Sequence, residues 1–327
     1  MRAVRIAGRD LLVLLALGGF AASLPAWSSD FVVSMALSCL MYVALSSSWA
    51  LFCGPTRYMS LAASAFFGVG AYVGALTLDQ LPWAGAVALG AAIAVLVAVA
   101  MGSAVLHLRG TYFAVLTFGM TELIRLAITY VEKEYAGTVG RVLVVVPEPG
   151  TVYLTMLALA LLAVATAIVV RRSRLGLALA GIGGDEQRAQ TLGVDTRMAK
   201  VIGFAITAAF AGATGAAMSV RWTYIDPMTV FNPFIGFQTV LIALIGGAAT
   251  LWGPVVAAIV FSLLAEALRL QLPQIYMMTL GLLLILSVLY LPDGLASLRP
   301  ATFARWCRDL AARRQARRER AGGVRDA

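Results

Sequence analysis

Apolar residues in this chain come in long continuous runs, separated by short polar breaks. Ten such runs stand out, at roughly 11–27, 31–53, 59–78, 83–106, 111–130, 151–170, 201–220, 234–250, 254–272 and 275–291. Most approach the ~20 residues that an α-helix needs to cross a hydrocarbon layer. The runs are continuous rather than alternating, which argues against a membrane β-barrel. The pattern therefore predicts an all-α fold, a polytopic transmembrane helical bundle of about ten spans, with boundaries good to a few residues.

One polar break is longer than a turn requires. Residues 171–200 read RRSRLGLALAGIGGDEQRAQTLGVDTRMAK and carry six basic and three acidic residues. Within it, Asp185 to Leu192 has the signature of a short helix. Asp185 and Glu186 supply negative charge to its first turn, where the backbone dipole favours it. Gly193 then supplies a helix stop. Two turns of helix are not stable alone in water, so this element needs a surface to lie on.

Charge orients the bundle. The net charge is +9, and nine arginines fall between Arg299 and Arg325, behind the last run. Arg2, Arg5 and Arg9 precede the first run. Ten crossings that begin inside also end inside, and they place Arg57, Arg109 and 171–200 on that same side. The other loops carry Asp30, Asp79, Glu132 to Glu148 and Asp226. Span count and positive-inside bias thus agree on cytoplasmic termini. The basic tail, 299–327, reads as an orientation signal attracted to anionic lipid rather than as a nucleic-acid arm. The transmembrane unit is 1–298. The arginines before Leu11 resemble a signal peptide, but Leu24-Pro25-Ala26 is a poor cleavage site, so a retained first helix is expected.

The mean hydropathy of +0.89 and the 61% hydrophobic content lie far outside the soluble range. Little embedded chemistry is available. No G-x-x-x-x-G-K-[ST] occurs, and the two lysines, Lys133 and Lys200, follow no glycine-rich loop, so the chain is not itself a P-loop ATPase. His107 is the single histidine, and Cys39, Cys53 and Cys307 show no metal-ligand spacing. Cys39 and Cys53 would be about 21 Å apart on one helix, too far for a disulfide. No cofactor, metal or catalytic residue is expected.

Polar groups inside the runs form two pairs. Glu122 and Arg125, and Glu266 and Arg269, are each spaced i, i+3 on one helix face. Two readings remain open for them: a pathway lining or gate contact, or an intrahelical pair that locks helices together. A lone charge near mid-membrane costs about 2.5–3.5 kcal/mol on insertion scales, so self-neutralising pairs that face protein are expected. The run 59–78 contains Gly68, Gly70 and Gly74, which permit either close helix approach or a break. In the run 201–220, Ala208, Gly212 and Ala216 make a small-residue stripe.

Five segments in order resemble one family. Asp185-Glu186-Gln187-Arg188-Ala189-Gln190-Thr191-Leu192-Gly193-Val194 resembles the cytoplasmic coupling-helix motif of ABC importer permeases. Leu108-Arg109-Gly110-Thr111-Tyr112-Phe113-Ala114, followed by Thr121 to Arg125, is similar to a segment of LivM-type permeases of branched-chain amino acid uptake systems. So are Ser60-Leu61 with Ala65 to Tyr72, Leu244 to Gly247 with Gly253-Pro254, and Leu291 to Leu295. Where the family often has Gly-His after Ser-Leu, Ala62-Ala63 stand here.

The resemblance implies a permease subunit that translocates branched-chain amino acids, or a related small solute, through the bacterial inner membrane. It implies a homologous second permease, two cytoplasmic ATPase subunits and a periplasmic solute-binding protein as partners. Asp185, Glu186 and Arg188 would then make charged contacts with the ATPase. Ala189 and Leu192 would pack into its cleft, and Gly193 would allow the exit turn. Ser60, Gly68 and Gly70 would let backbone face the pathway. The alternative class is an ion-coupled secondary transporter, which needs a titratable group at depth. An arginine one turn from Glu122 and from Glu266 disfavours proton carriage by holding each carboxylate ionised. A lipid-modifying enzyme would need a catalytic cluster that the sequence lacks.

Overall fold

A computed structural model describes residues 2–108, 110–135, 137–143, 147–222 and 224–271, together with 278–279, 281–282 and 285–286. Most of the run 275–291, the motif at 291–295, the tail 299–327, Cys307 and Arg109 lie outside the described residues. So do the side chains of Arg2, Arg5 and Arg9.

Among the described residues up to 271, twelve α-helices follow one another: α1 Arg2–Ser23, α2 Asp30–Thr56, α3 Ala63–Thr77, α4 Trp83–Val105, α5 Thr111–Tyr135, α6 Pro149–Arg172, α7 Arg174–Gly184, α8 Glu186–Thr191, α9 Thr196–Met218, α10 Pro227–Val230, α11 Pro233–Gly246 and α12 Gly253–Gln271. Among the described residues, seven stretches are long and apolar enough to cross a membrane. These are α2, α4, α5, α6, Thr196–Arg221, Pro227–Gly246 and α12. The runs 11–27 and 59–78 correspond to shorter apolar helices, Leu12–Ser23 and Ala63–Thr77. The chain is a multi-pass helical membrane protein.

α2 and α9 form the centre. α9 packs most extensively on α4 and α3, and α2 packs on α6, α12 and α9. Small residues make these approaches possible. The Gly212 position of the α9 stripe lies against Ala94 of α4, and a side chain at Gly70 of α3 would strike the Gly212 carbonyl. Packing of backbone on backbone is the usual way for helices to associate where lipid supplies no hydrophobic drive between them.

The alternation of ends predicted from charge is matched by contacts. At one end, here the basic end, Asp10 of α1 accepts from Arg172 of α6 at 3.1 Å. The Arg171 guanidinium donates to the carbonyls of Ala248, Ala249 and Thr250, which form the turn between α11 and α12. At the opposite end, the Tyr153 hydroxyl donates to the Ala21 carbonyl, and Arg221 donates to Ser34. There too β1 (Arg141–Val142) pairs antiparallel with β2 (Tyr224–Ile225), with Arg141 opposite Ile225.

Two local outcomes differ from the sequence reading. The run 59–78 is helical only from Ala63. Before it, Arg57 closes α2 in the left-handed region (φ 60°), and residues 58–61 run as irregular backbone. That stretch has partners: the Trp49 indole donates to the Ser60 carbonyl at 2.8 Å, and the Leu61 N–H donates to Thr117 Oγ1 at 3.0 Å. Irregular backbone is tolerated beside a membrane span when protein groups satisfy it in this way. The second difference is α7, where no helix was predicted. Ser173 caps it by accepting from the Gly176 N–H. Leu175, Leu179 and Ile182, at i, i+4 and i+7, face the bundle. That helical periodicity is legible in the sequence, but it sits among the four glycines Gly176, Gly181, Gly183 and Gly184, which mask it.

Candidate functional site

The break at 171–200 folds as two helices, α7 and α8, laid against the basic ends of α2 and α9. α8 is capped at both ends. Asp185 Oδ1 accepts from the N–H groups of Gln187 (3.0 Å) and Arg188 (3.2 Å), satisfying donors that a helix start leaves open. At the other end Gly193 adopts φ +83°. Its N–H bonds the Gln190 carbonyl, and the Val194 N–H bonds the Ala189 carbonyl. This is the paired closure that a left-handed glycine permits.

What holds α8 is a buried polar knot. Glu186 Oε1 lies 2.7 Å from Lys200 Nζ at the start of α9. The Tyr58 hydroxyl donates to Glu186 Oε2 at 2.8 Å. Lys200 Nζ also donates to the Leu106 carbonyl at the end of α4, at 2.7 Å, and sits 5.1 Å from the Tyr58 ring centroid. Glu186, Lys200 and Tyr58 are all buried. Four elements therefore meet on one ion pair: α8, α9, the exit of α2 and the end of α4. A buried pair of this kind does little for net stability, but removing one member costs about 3–5 kcal/mol because the other charge is left uncompensated.

The knot corrects one part of the sequence reading. The resemblance implies that Glu186 and Ala189 contact a partner, yet both are buried within this chain, Glu186 against Lys200. The physical reason is the helical period: with Glu186 inward, Ala189 at i+3 shares its face. The outward face is Asp185, Gln187, Arg188, Thr191 and Leu192. Arg188 is paired to Asp185 at 3.0 Å with its side chain 86% exposed, and Leu192 is 83% exposed.

Behind the knot is a polar cavity of about 450 Å³ at the basic end, lined by Ser103, His107, Glu186, Gln190, Arg197 and Lys200. Lys200 and Tyr58 escaped the sequence reading. The available signal was weak: one of only two lysines in the chain stands at the head of an apolar run.

The remaining predicted residues fall elsewhere. Glu122 and Arg125 pair on α5, with Arg125 Nε donating to Glu122 Oε2 at 2.8 Å, and both are partly exposed. Glu266 and Arg269 on α12 make no ion pair with each other among the described residues. They line a cavity in the opposite half of the bundle. Ser60 is buried, and its Oγ accepts from the Ala62 N–H. Gly68 lies against the Phe231 ring and Gly70 against Gly212. These two glycines are packing positions in a continuous α3, not a helix break facing a pathway. Among the described residues no cluster of three His, Cys, Asp or Glu side chains is placed to hold a metal ion.

Comparison with known proteins gives consistent matches. The family model described as the permease component of branched-chain amino acid transport systems matches residues 31–288. The high-affinity branched-chain amino acid transport system permease protein LivM of Escherichia coli (strain K12) is 26% identical over 88% of this chain and 75% of its own length. LivM of Salmonella typhimurium (strain LT2) is 25% identical over the same shares. No solved structure matches.

Proposed function

The chain belongs to the permease-component family of branched-chain amino acid transport systems, and from that premise we propose that it forms half of an ATP-driven import pore in the bacterial inner membrane. A second, homologous permease completes the pore. Two ATPase subunits dock at the basic end, and a periplasmic binding protein delivers the solute at the opposite end. ATP hydrolysis belongs to the separate subunits, in keeping with the lack of a P-loop in this sequence.

The observation that carries this reading is the anchored helix α8. Its outward face offers Arg188 and Leu192, while its inward face is fixed to α9, α4 and α2 through Glu186 and Lys200. A displacement of α8 by a closing ATPase pair would be transmitted to three membrane helices, because a buried, hydrogen-bonded ion pair resists being pulled apart. That is the arrangement a coupling element requires: a compliant contact outside and a stiff joint inside.

The test is reconstitution. The chain, its sister permease and the two ATPases are placed in liposomes, with the binding protein and radiolabelled leucine outside and ATP within. Uptake that requires ATP and binding protein is expected. Uptake driven by a proton or sodium gradient without ATP overturns the reading.

A further inference from the structure

A second cavity, of about 360 Å³, lies in the half of the bundle opposite α8. Its walls come from the first half of α2 (Ser38, Met41, Tyr42), the end of α9 and the turn after it (Met218, Arg221, Trp222), the start of α11 (Ile235, Gln238) and the second half of α12 (Ser262, Glu266, Arg269). The volume is at the small end of the range of about 300–1,000 Å³ typical of small-molecule sites.

Its polar groups are held in place but not used up. Gln238 is 5% exposed, and one atom of its amide accepts from the Tyr42 hydroxyl at 2.7 Å. Its other amide atom makes no hydrogen bond among the described residues. The Ser262 hydroxyl, on a residue 6% exposed, has no nitrogen or oxygen partner among the described residues. The Cys39 thiol, a weak partner, stands beside it. Arg221 spends two of its N–H donors on Ser34 and retains the others of its five-donor fork. Glu266 lies within electrostatic reach of Arg221 but has no direct ion-pair partner among the described residues.

A buried polar atom without a partner is costly, and wild-type proteins keep few of them without a reason. Here one such atom, the Ser262 hydroxyl, shares a cavity with the Gln238 amide, a carboxylate and two guanidinium groups, alongside the apolar surfaces of Met41, Met218, Trp222 and Ile235.

We propose that this cavity is a transit site for the zwitterion of an aliphatic α-amino acid. Glu266 takes the ammonium group, Arg221 and Arg269 take the carboxylate, and the methionine and tryptophan walls take the side chain. Gln238 and Ser262 complete the hydrogen bonding. This rests on the permease reading and goes beyond it by assigning residues and a charge requirement. A neutral amide or urea would leave Glu266 and the arginines uncompensated, so the cavity selects for charge separation as well as for size. The position also fits the direction of transport, at the end remote from the ATPase-facing helix.

The experiment places Ser262→Cys in a chain whose Cys39, Cys53 and Cys307 are replaced by alanine, assembled with its partner subunits in liposomes. The rate of labelling by a small methanethiosulfonate reagent is read with and without leucine, urea and the uncharged 4-methylpentanamide. Saturating leucine is expected to slow labelling by about fivefold or more, as occupancy dictates. Neither neutral compound should do so. Adding Glu266→Gln should abolish the protection and lower ATP-dependent leucine uptake by about tenfold, the scale of one lost charge-assisted hydrogen bond, while Glu266→Asp retains part of both. Equal labelling with and without leucine overturns the site, as does protection that survives Glu266→Gln combined with Arg221→Gln. If the parent complex shows no ATP-dependent uptake, the permease reading falls, and the protection result still decides the site.

Discussion

Glu186 and Lys200 are 14 residues apart in the chain, and their side chains meet at 2.7 Å in a site almost closed to solvent. The pair is the joint between the external helix α8 and the membrane helix α9. Its rigidity comes from the further bonds each partner makes, Glu186 with Tyr58 and Lys200 with the Leu106 carbonyl.

Breaking this joint should uncouple the transporter. Glu186→Gln or Lys200→Met alone leaves one buried charge unpaired, a loss of about 3–5 kcal/mol. The expected outcome is a lower melting temperature in detergent and a fall in ATP-dependent uptake. The exchanged pair, Glu186→Lys with Lys200→Glu, should recover part of the stability lost by either single exchange, but not all of it. A glutamate at 200 cannot donate to the Leu106 carbonyl. Thermal unfolding followed by size-exclusion fluorescence reads this directly, and equal stability in all variants would refute the joint.

Replacing residues on the outward face should have the opposite profile. Leu192→Ala and Arg188→Ala remove side chains that are largely exposed, so stability should change by no more than about 0.5 kcal/mol. If α8 docks an ATPase, solute-stimulated ATP hydrolysis should nonetheless fall severalfold in the assembled complex. Unchanged stimulation in the double variant would remove Leu192 and Arg188 from the docking face.

Gly193 and Gly70 test two different uses of glycine. Gly193→Val forces a β-branched residue into a left-handed conformation and should loosen the exit of α8, with a cost of about 1–2 kcal/mol. A cysteine crosslink from α8 to the ATPase would then form more slowly. Gly70→Ala instead drives a methyl group into the Gly212 carbonyl of α9, and overpacking of this type costs about 1–3 kcal/mol. Gly70→Leu should not yield folded protein. Normal yield and melting temperature for Gly70→Leu would contradict the contact between α3 and α9.

Arg171 should resist even conservative replacement. Its fork reaches three consecutive carbonyls at Ala248, Ala249 and Thr250. Arg171→Lys keeps the charge but cannot span them, since an ammonium lacks the planar fork. A drop in melting temperature for Arg171→Lys, close to that for Arg171→Ala, is the expected measurement.

Much of this molecule was readable from its residues alone. Continuous apolar runs predicted helices, and the placement of arginine predicted which loops share an end. The contacts of Asp10 with Arg172 and of Tyr153 with Ala21 bear out that sharing of ends. Local signals also sufficed for the caps of α8, because Asp185 and Gly193 act within a few residues of themselves. The order of five motifs, from Ser60-Leu61 to the Asp185–Gly193 segment and beyond, pointed to the family that the comparisons then showed.

Only the tertiary structure decided which face of α8 is buried, that Lys200 is its anchor, and that Glu266, unlike Glu122, leaves the arginine on its own helix and turns into a cavity with Arg221. The physical reason is range. Helix periodicity, capping and insertion are set by neighbours within about one turn and by the surrounding solvent, so a single sequence contains them. A charge pair 14 residues apart, or a cavity walled by four helices, depends on how finished elements pack, and hydrophobic patterning says little about that when nearly every face is apolar. The sequence by itself therefore determined a polytopic bundle with a capped helix at its basic end. Packing determined what that helix is fastened to.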